Sequence, residues 1–205
     1  MPKSSGENNI HYDPSEILIT VGVGEGTFNA FGAYLEEGDE VLIPDPVWLN
    51  YIHVPEYFGA KAVPYTLKQE NDYQIDMEEL ESKITDRTKM VVIISPNNPT
   101  GGVLERETLE KLANIAIRHD LYVISDEIYE KLIFDGEKHT KHCISSGNEG
   151  THHNPERPFQ SILHDRMAPG LYGSSKGYHL CVCPPSPAHQ YLCVLLCAGS
   201  RHHCP

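Results

Sequence analysis

Met90-Val91-Val92-Ile93-Ile94-Ser95-Pro96-Asn97-Asn98-Pro99-Thr100-Gly101-Gly102, followed one helix later by Leu121-Tyr122-Val123-Ile124-Ser125-Asp126-Glu127, decides the fold of this chain. The run Met90–Ile94 is apolar without interruption, as a strand covered on both faces must be. Asn97 to Gly102 is a dense turn cluster. Between the two runs, Glu107 to His119 places Leu109, Leu112, Ala113 and Ala116 on one face, the pattern of an amphipathic helix. Strand, turn, helix, strand predicts a parallel pair joined by a right-handed crossover.

The same alternation extends towards the N-terminus. Ile17-Leu18-Ile19-Thr20-Val21 reads as a strand after a frayed lead-in over residues 1–14. Gly22-Val23-Gly24 reads as a glycine turn before a helix through Phe28, Phe31 and Leu35. Glu40-Val41-Leu42-Ile43 is a strand stopped by Pro44-Asp45-Pro46. Tyr51 to Phe58 is helical, closed by Gly59. Ala62-Val63-Pro64-Tyr65 is an edge strand, since Pro64 cannot donate to a ladder. Asp76 opens a helix that continues to Ile84. The fold class is therefore α/β, a mostly parallel sheet with flanking helices.

Bulk properties narrow the function. The formal net charge of the 205 residues is -13, which disfavours nucleic acid and anionic membranes as partners, since both need clustered Lys and Arg. No apolar run has the length of a membrane span and the start has no signal-peptide pattern, so the expected location is cytoplasmic. Composition then breaks. All six cysteines and nine of the 12 histidines lie from His139 onward. Up to Thr140 there are 26 acidic residues against 11 basic; beyond it there are three against five. Two regions are expected, 1–139 and 140–205.

Ligands of parallel sheets sit beyond the carboxyl ends of the strands, and the chemistry-bearing residues fall there. Gly22-Val23-Gly24 offers backbone N–H groups at a helix start, suited to an anion, although such turns also occur without a ligand. Trp48, the only tryptophan, follows a strand and reads either as a packing aromatic or as a site residue. Asn98 reads as turn chemistry or as a ligand contact. Asp126 ends a buried strand and needs a partner, because an isolated buried charge is costly. Tyr129 lies one helical turn further on.

Together, Ser95-Pro96-Asn97-Asn98-Pro99-Thr100-Gly101, Ser125-Asp126-Glu127-Ile128-Tyr129 and Ile43-Pro44-Asp45-Pro46 with a following aromatic resemble the class I/II aminotransferases of fold type I. The resemblance covers residues 15–139 in the family's order and is nearest in flavour to the bacterial aspartate and aromatic aminotransferases. It implies part of the large domain of a pyridoxal 5′-phosphate enzyme. It also implies amino-group transfer between an amino acid and a 2-oxo acid, and a homodimer. By the same resemblance, Gly22, Val23 and Gly24 would meet the cofactor phosphate and Trp48 would stack on the pyridine ring. Asn98 and Tyr129 would bond the phenolic oxygen, and Asp126 would pair with the ring nitrogen. Gly24 departs from the commoner hydroxyl-bearing versions of that loop.

The family's Schiff-base lysine and the arginines for phosphate and substrate carboxylate have no counterpart in the sequence as written. The N-terminal arm and small domain are not expected either. Lys176, in Gly173-Ser174-Ser175-Lys176-Gly177-Tyr178, lacks the arginine that should follow and reads as a surface lysine. Codons exist for Phe159 to Tyr172 that, read one nucleotide on, spell SKAFSMTGWRLGY. From Thr140 the shifted frame permits QSIASAAGMKERT. Both strings resemble the family's own continuation, lysine and arginine included. The expectation is a reading frame that slips near Lys138–Lys141, an out-of-frame, disordered tail over 140–205, and no catalysis by this chain. Two alternatives stand beside it. One is a non-catalytic cofactor-binding or regulatory relic. The other is a metal-binding tail using Cys181, Cys183, Cys193, Cys197, His202, His203 and Cys204, whose spacings differ from the usual zinc knuckles.

Overall fold

The computed structural model describes residues 22–130 and 132–134 and, beyond these, the backbone of three short strands. In chain order the elements are α1 (Gly22–Tyr34), β1 (Glu40–Asp45), α2 (Asn50–Tyr57), β2 (Lys61–Thr66), α3 (Met77–Ser82) and β3 (Thr88–Ile94). Then come α4 (Arg106–His119), β4 (Tyr122–Asp126), β5 (Ile162–Leu163), β6 (Tyr178–Cys183) and β7 (Cys193–Ala198). The sheet runs β2-β1-β3-β4-β5 with every neighbouring pair parallel. β6 and β7 pair antiparallel in a separate two-stranded sheet. The lead-in 1–14, the strand expected at Ile17–Val21 and the side chains of 140–205 lie outside the described residues.

Alternation along the strands builds a core on each face. Val41, Ile43, Met90, Val92, Ile94 and Ile124 point to one side, where α1 and α2 cover them with Val23, Ala30, Phe31 and Tyr51. Leu42, Val91, Ile93 and Val123 point to the other, under Leu80 of α3 and Leu109, Leu112 and Ala116 of α4. This is why the strands read as apolar runs. Pro64 pairs with Ile43 on the edge strand β2, where a missing N–H costs the sheet nothing. At the head of β1, buried Glu40 accepts from the Thr85 hydroxyl at 2.6 Å and the Arg87 guanidinium at 3.2 Å. Thr85 first, then Arg87 and Lys61, hold its carboxyl below the usual range against the opposing effect of burial.

One expectation is corrected. Gly22-Val23-Gly24 is not a turn ahead of a helix; it is the first turn of α1 itself. Glycine is a poor helix former, but burial of Val23, Thr27, Ala30 and Phe31 against the sheet overrides that local preference. The helices expected at Tyr51–Phe58 and Asp76–Ile84 are shorter or shifted by a residue, with Asp76 and Phe58 serving as caps. Gly59 closes α2 at φ +78°, a conformation that favours glycine.

Candidate active site

After β1 and β2 the chain crosses back to place β3 on the other side of β1, so the strand order reverses between β1 and β3. That reversal opens a crevice at the strand carboxyl ends. Trp48 enters it from the loop after β1, Asn98 from the turn after β3, and Asp126 as the last residue of β4. Val23 and Gly24 of α1, Ile94, Ile128 and Tyr129 complete the lining of a cavity of about 310 Å³. Six of the seven residues singled out in the sequence thus share one cavity. The seventh, Gly22, is the first residue of α1. A neighbouring cleft beneath Tyr73, Gly102 and Asn97 does not admit a water molecule.

Asp126 shares its face of β4 with Ile124, which aims its carboxylate to the α1–α2 side. It is 3% exposed. Tyr51, fully buried in α2, donates its hydroxyl to Asp126 Oδ2 at 2.7 Å. The Ile128 N–H donates to Oδ1 at 3.1 Å. Burial, then the Asp126 charge and the bond to it, push the Tyr51 hydroxyl well above the ordinary phenol range, so Tyr51 remains a donor. The carboxylate therefore accepts a hydrogen bond on each oxygen.

Asn98 Nδ2 donates to the Tyr129 hydroxyl at 3.3 Å, which leaves Tyr129 its own proton to offer a ligand. Trp48 is 40% exposed at the cavity mouth, and its ring stands edge-on to Tyr51 at 6.3 Å. Asn97 shapes the turn beneath. Its Oδ1 accepts from the Thr100 N–H and hydroxyl at 3.2 and 3.0 Å, while its buried Nδ2 has no partner among the described residues. The peptide bonds before Pro46, Pro96 and Pro99 are cis.

Tyr51 is the residue that sequence reasoning missed. Two signals pointed towards it: Asp126 demanded a donor, and Trp48 and Tyr51 are spaced to share a helix face. Nothing local, however, links positions 75 residues apart.

One buried carboxylate, two converging polar groups and an aromatic at the mouth of an apolar crevice, on a parallel α/β sheet, have the make-up of a small-molecule pocket. The sequence profile described as aminotransferase class I and II matches residues 3–154, and the chain belongs to that family. It is 43% identical over 132 residues to a probable aspartate/prephenate aminotransferase of Aquifex aeolicus, covering 64% of this chain and 34% of that one. It is 41% identical over 138 residues to an aspartate aminotransferase of Pyrococcus abyssi, covering 67% of this chain and 36% of that one. Among solved structures it superposes on a Thermus thermophilus aspartate aminotransferase mutant with a TM-score of 0.62 at 42% identity, covering 65% of this chain and 35% of that one. Alanine aminotransferase of Pyrococcus furiosus gives 0.65 at 38%, covering 70% and 36%. The chain spans about a third of the length of these relatives. The resemblance to fold-type-I aminotransferases stated from sequence is thereby confirmed. The family match runs to 154, past the compositional break near 140.

Proposed function

We propose that the cavity is the ring-binding half of a pyridoxal 5′-phosphate site, and that in the complete protein it serves amino-group transfer between an amino acid and a 2-oxo acid. The observation that carries this is the convergence of Asp126, Asn98, Tyr129 and Trp48 on one cavity. The donor set suits the pyridine ring. Asp126 is a buried anion that keeps a proton on a ring nitrogen. Asn98 and Tyr129 are neutral donors for a phenolate oxygen. Trp48 supplies a flat apolar face. The first turn of α1, with N–H groups that have no intrahelical partner, suits the phosphate. When bound, the cofactor supplies an electron sink for the α-carbon of the amino acid. The protein's task is to hold the ring protonated, oriented and partly shielded from water.

For the chain as written, the proposal is non-covalent binding without turnover. No lysine or arginine lines the cavity among the described residues, and the one-nucleotide shift accounts for where the expected lysine and arginine went. Pyridoxamine 5′-phosphate is the decisive probe, because it cannot form an imine with surface lysines. It should quench the fluorescence of Trp48, the single tryptophan, with saturation, and Asp126→Ala should weaken that binding at least tenfold. Borohydride treatment with the aldehyde form should trap no adduct at the cavity. Linear, unsaturable quenching would exclude the site. Resequencing the coding DNA from Phe134 to Lys176 tests the shift: a frame that reads through intact removes it.

A further inference from the structure

We infer that Tyr51 is a positioning residue of this site, acting through Asp126 to fix the orientation of its carboxylate towards the ring nitrogen while packing against Trp48. This rests on the proposed cofactor site.

Three observations carry it. First, the Tyr51 hydroxyl lies 2.7 Å from Asp126 Oδ2, with the side chain wholly buried, so water does not compete for the contact. Second, Tyr51 is a neutral donor. A lysine, arginine or protonated histidine at this place would orient Asp126 equally well but would cancel the charge that a pyridinium needs. A phenol orients without cancelling. Third, the Tyr51 ring makes T-shaped contacts with two aromatics, Phe31 of α1 at 6.4 Å and Trp48 at 6.3 Å. One side chain therefore ties the helix at the phosphate end, the aromatic at the cavity mouth and the carboxylate at its base.

The role predicts selectivity that a merely structural tyrosine would not show. Two probes are needed: pyridoxamine 5′-phosphate, and its analogue with carbon in place of the ring nitrogen. Trp48 quenching reports both in the full chain. Wild type should prefer the pyridine compound. Tyr51→Phe keeps the ring packing and removes only the donor. It should weaken pyridoxamine phosphate about tenfold, the scale of one charged hydrogen bond, and the carbon analogue by less than about twofold. Asp126→Asn should lose the preference by itself, and adding Tyr51→Phe should then change nothing further. That double variant also covers poor folding of the single one, since no buried carboxylate is left short of a donor. Equal weakening of both probes by Tyr51→Phe, an unchanged preference, or additive losses in the double variant would each overturn the role of Tyr51 and leave the site intact. Failure of wild type to bind either probe would instead remove the site, and this inference with it.

Discussion

Glu79 shows how a single residue reports its surroundings. Its Oε1 accepts from Lys83 at 2.8 Å, from the Thr66 N–H at 3.1 Å and from the Thr66 hydroxyl at 2.9 Å. These donors, Lys83 foremost, outweigh partial burial and hold the carboxyl at about 2, against an ordinary 4.5. A depressed folded-state value means the stabilisation is complete above the ordinary value and disappears as pH falls through the depressed one. Glu79→Gln should therefore cost about 1 kcal/mol near neutral pH, a figure that allows for solvent screening. It should also flatten the acid dependence of stability between pH 4.5 and about 2. Urea unfolding midpoints at about pH 7 and about pH 3 would show this; a wild-type loss on acidification that the variant reproduces in full would refute it. The same local logic made Asp126 and Asn98 legible in the sequence, since each sits where an apolar run stops. Tyr51 was not, because its partner is fixed by the way α2 rolls against the sheet.

At the scale of elements, α3 depends on its first residue. Asp76 Oδ1 accepts from the Glu78 and Glu79 N–H groups, both at 3.1 Å. A helix of six residues has few internal bonds, so its cap matters in proportion. Asp76→Ala should destabilise the chain by about 1 kcal/mol, seen as a lower denaturation midpoint, whereas Asp76→Ser or Asp76→Asn should recover most of it. Asp76-x-x-Glu79 also has the spacing of a capping box, in which Glu79 would reach back to the cap. In the structure Glu79 instead reaches across to β2, a choice made by the neighbouring strand. The glycine-rich start of α1 was misjudged for a related reason: propensity is local, while the sheet that rewards helix formation at Thr27, Ala30 and Phe31 is not.

Across the whole molecule, two covered faces and a crevice at the strand-order reversal put ligand binding and stability in one system. A ligand that binds only the folded state raises stability by mass action. Pyridoxamine 5′-phosphate at about 100 times its dissociation constant should add about 2.7 kcal/mol, visible as a concentration-dependent rise in melting temperature that Asp126→Ala cuts to about half or less. A melt indifferent to the compound would contradict the cavity's assignment. Exposed Phe28 and Tyr57 cluster with Phe58, the Phe28 ring lying tilted 5.6 Å from that of Tyr57 and 4.9 Å from that of Phe58. They form an aromatic face beside α1 and α2, on a chain that spans only about a third of its relatives.

Between residues 40 and 126 the sequence by itself determined which segments are strands and helices, that these strands run parallel, and which side chains stand at the strand ends. Those properties follow from side-chain period and from where apolar runs stop, and both are local. Only the tertiary structure decided that β1 lies between β2 and β3, that α1 begins within its glycines, and that Tyr51 closes on Asp126. Each of these joins residues far apart in the chain, and which distant surfaces meet is settled by how the helices pack on the two faces of the sheet.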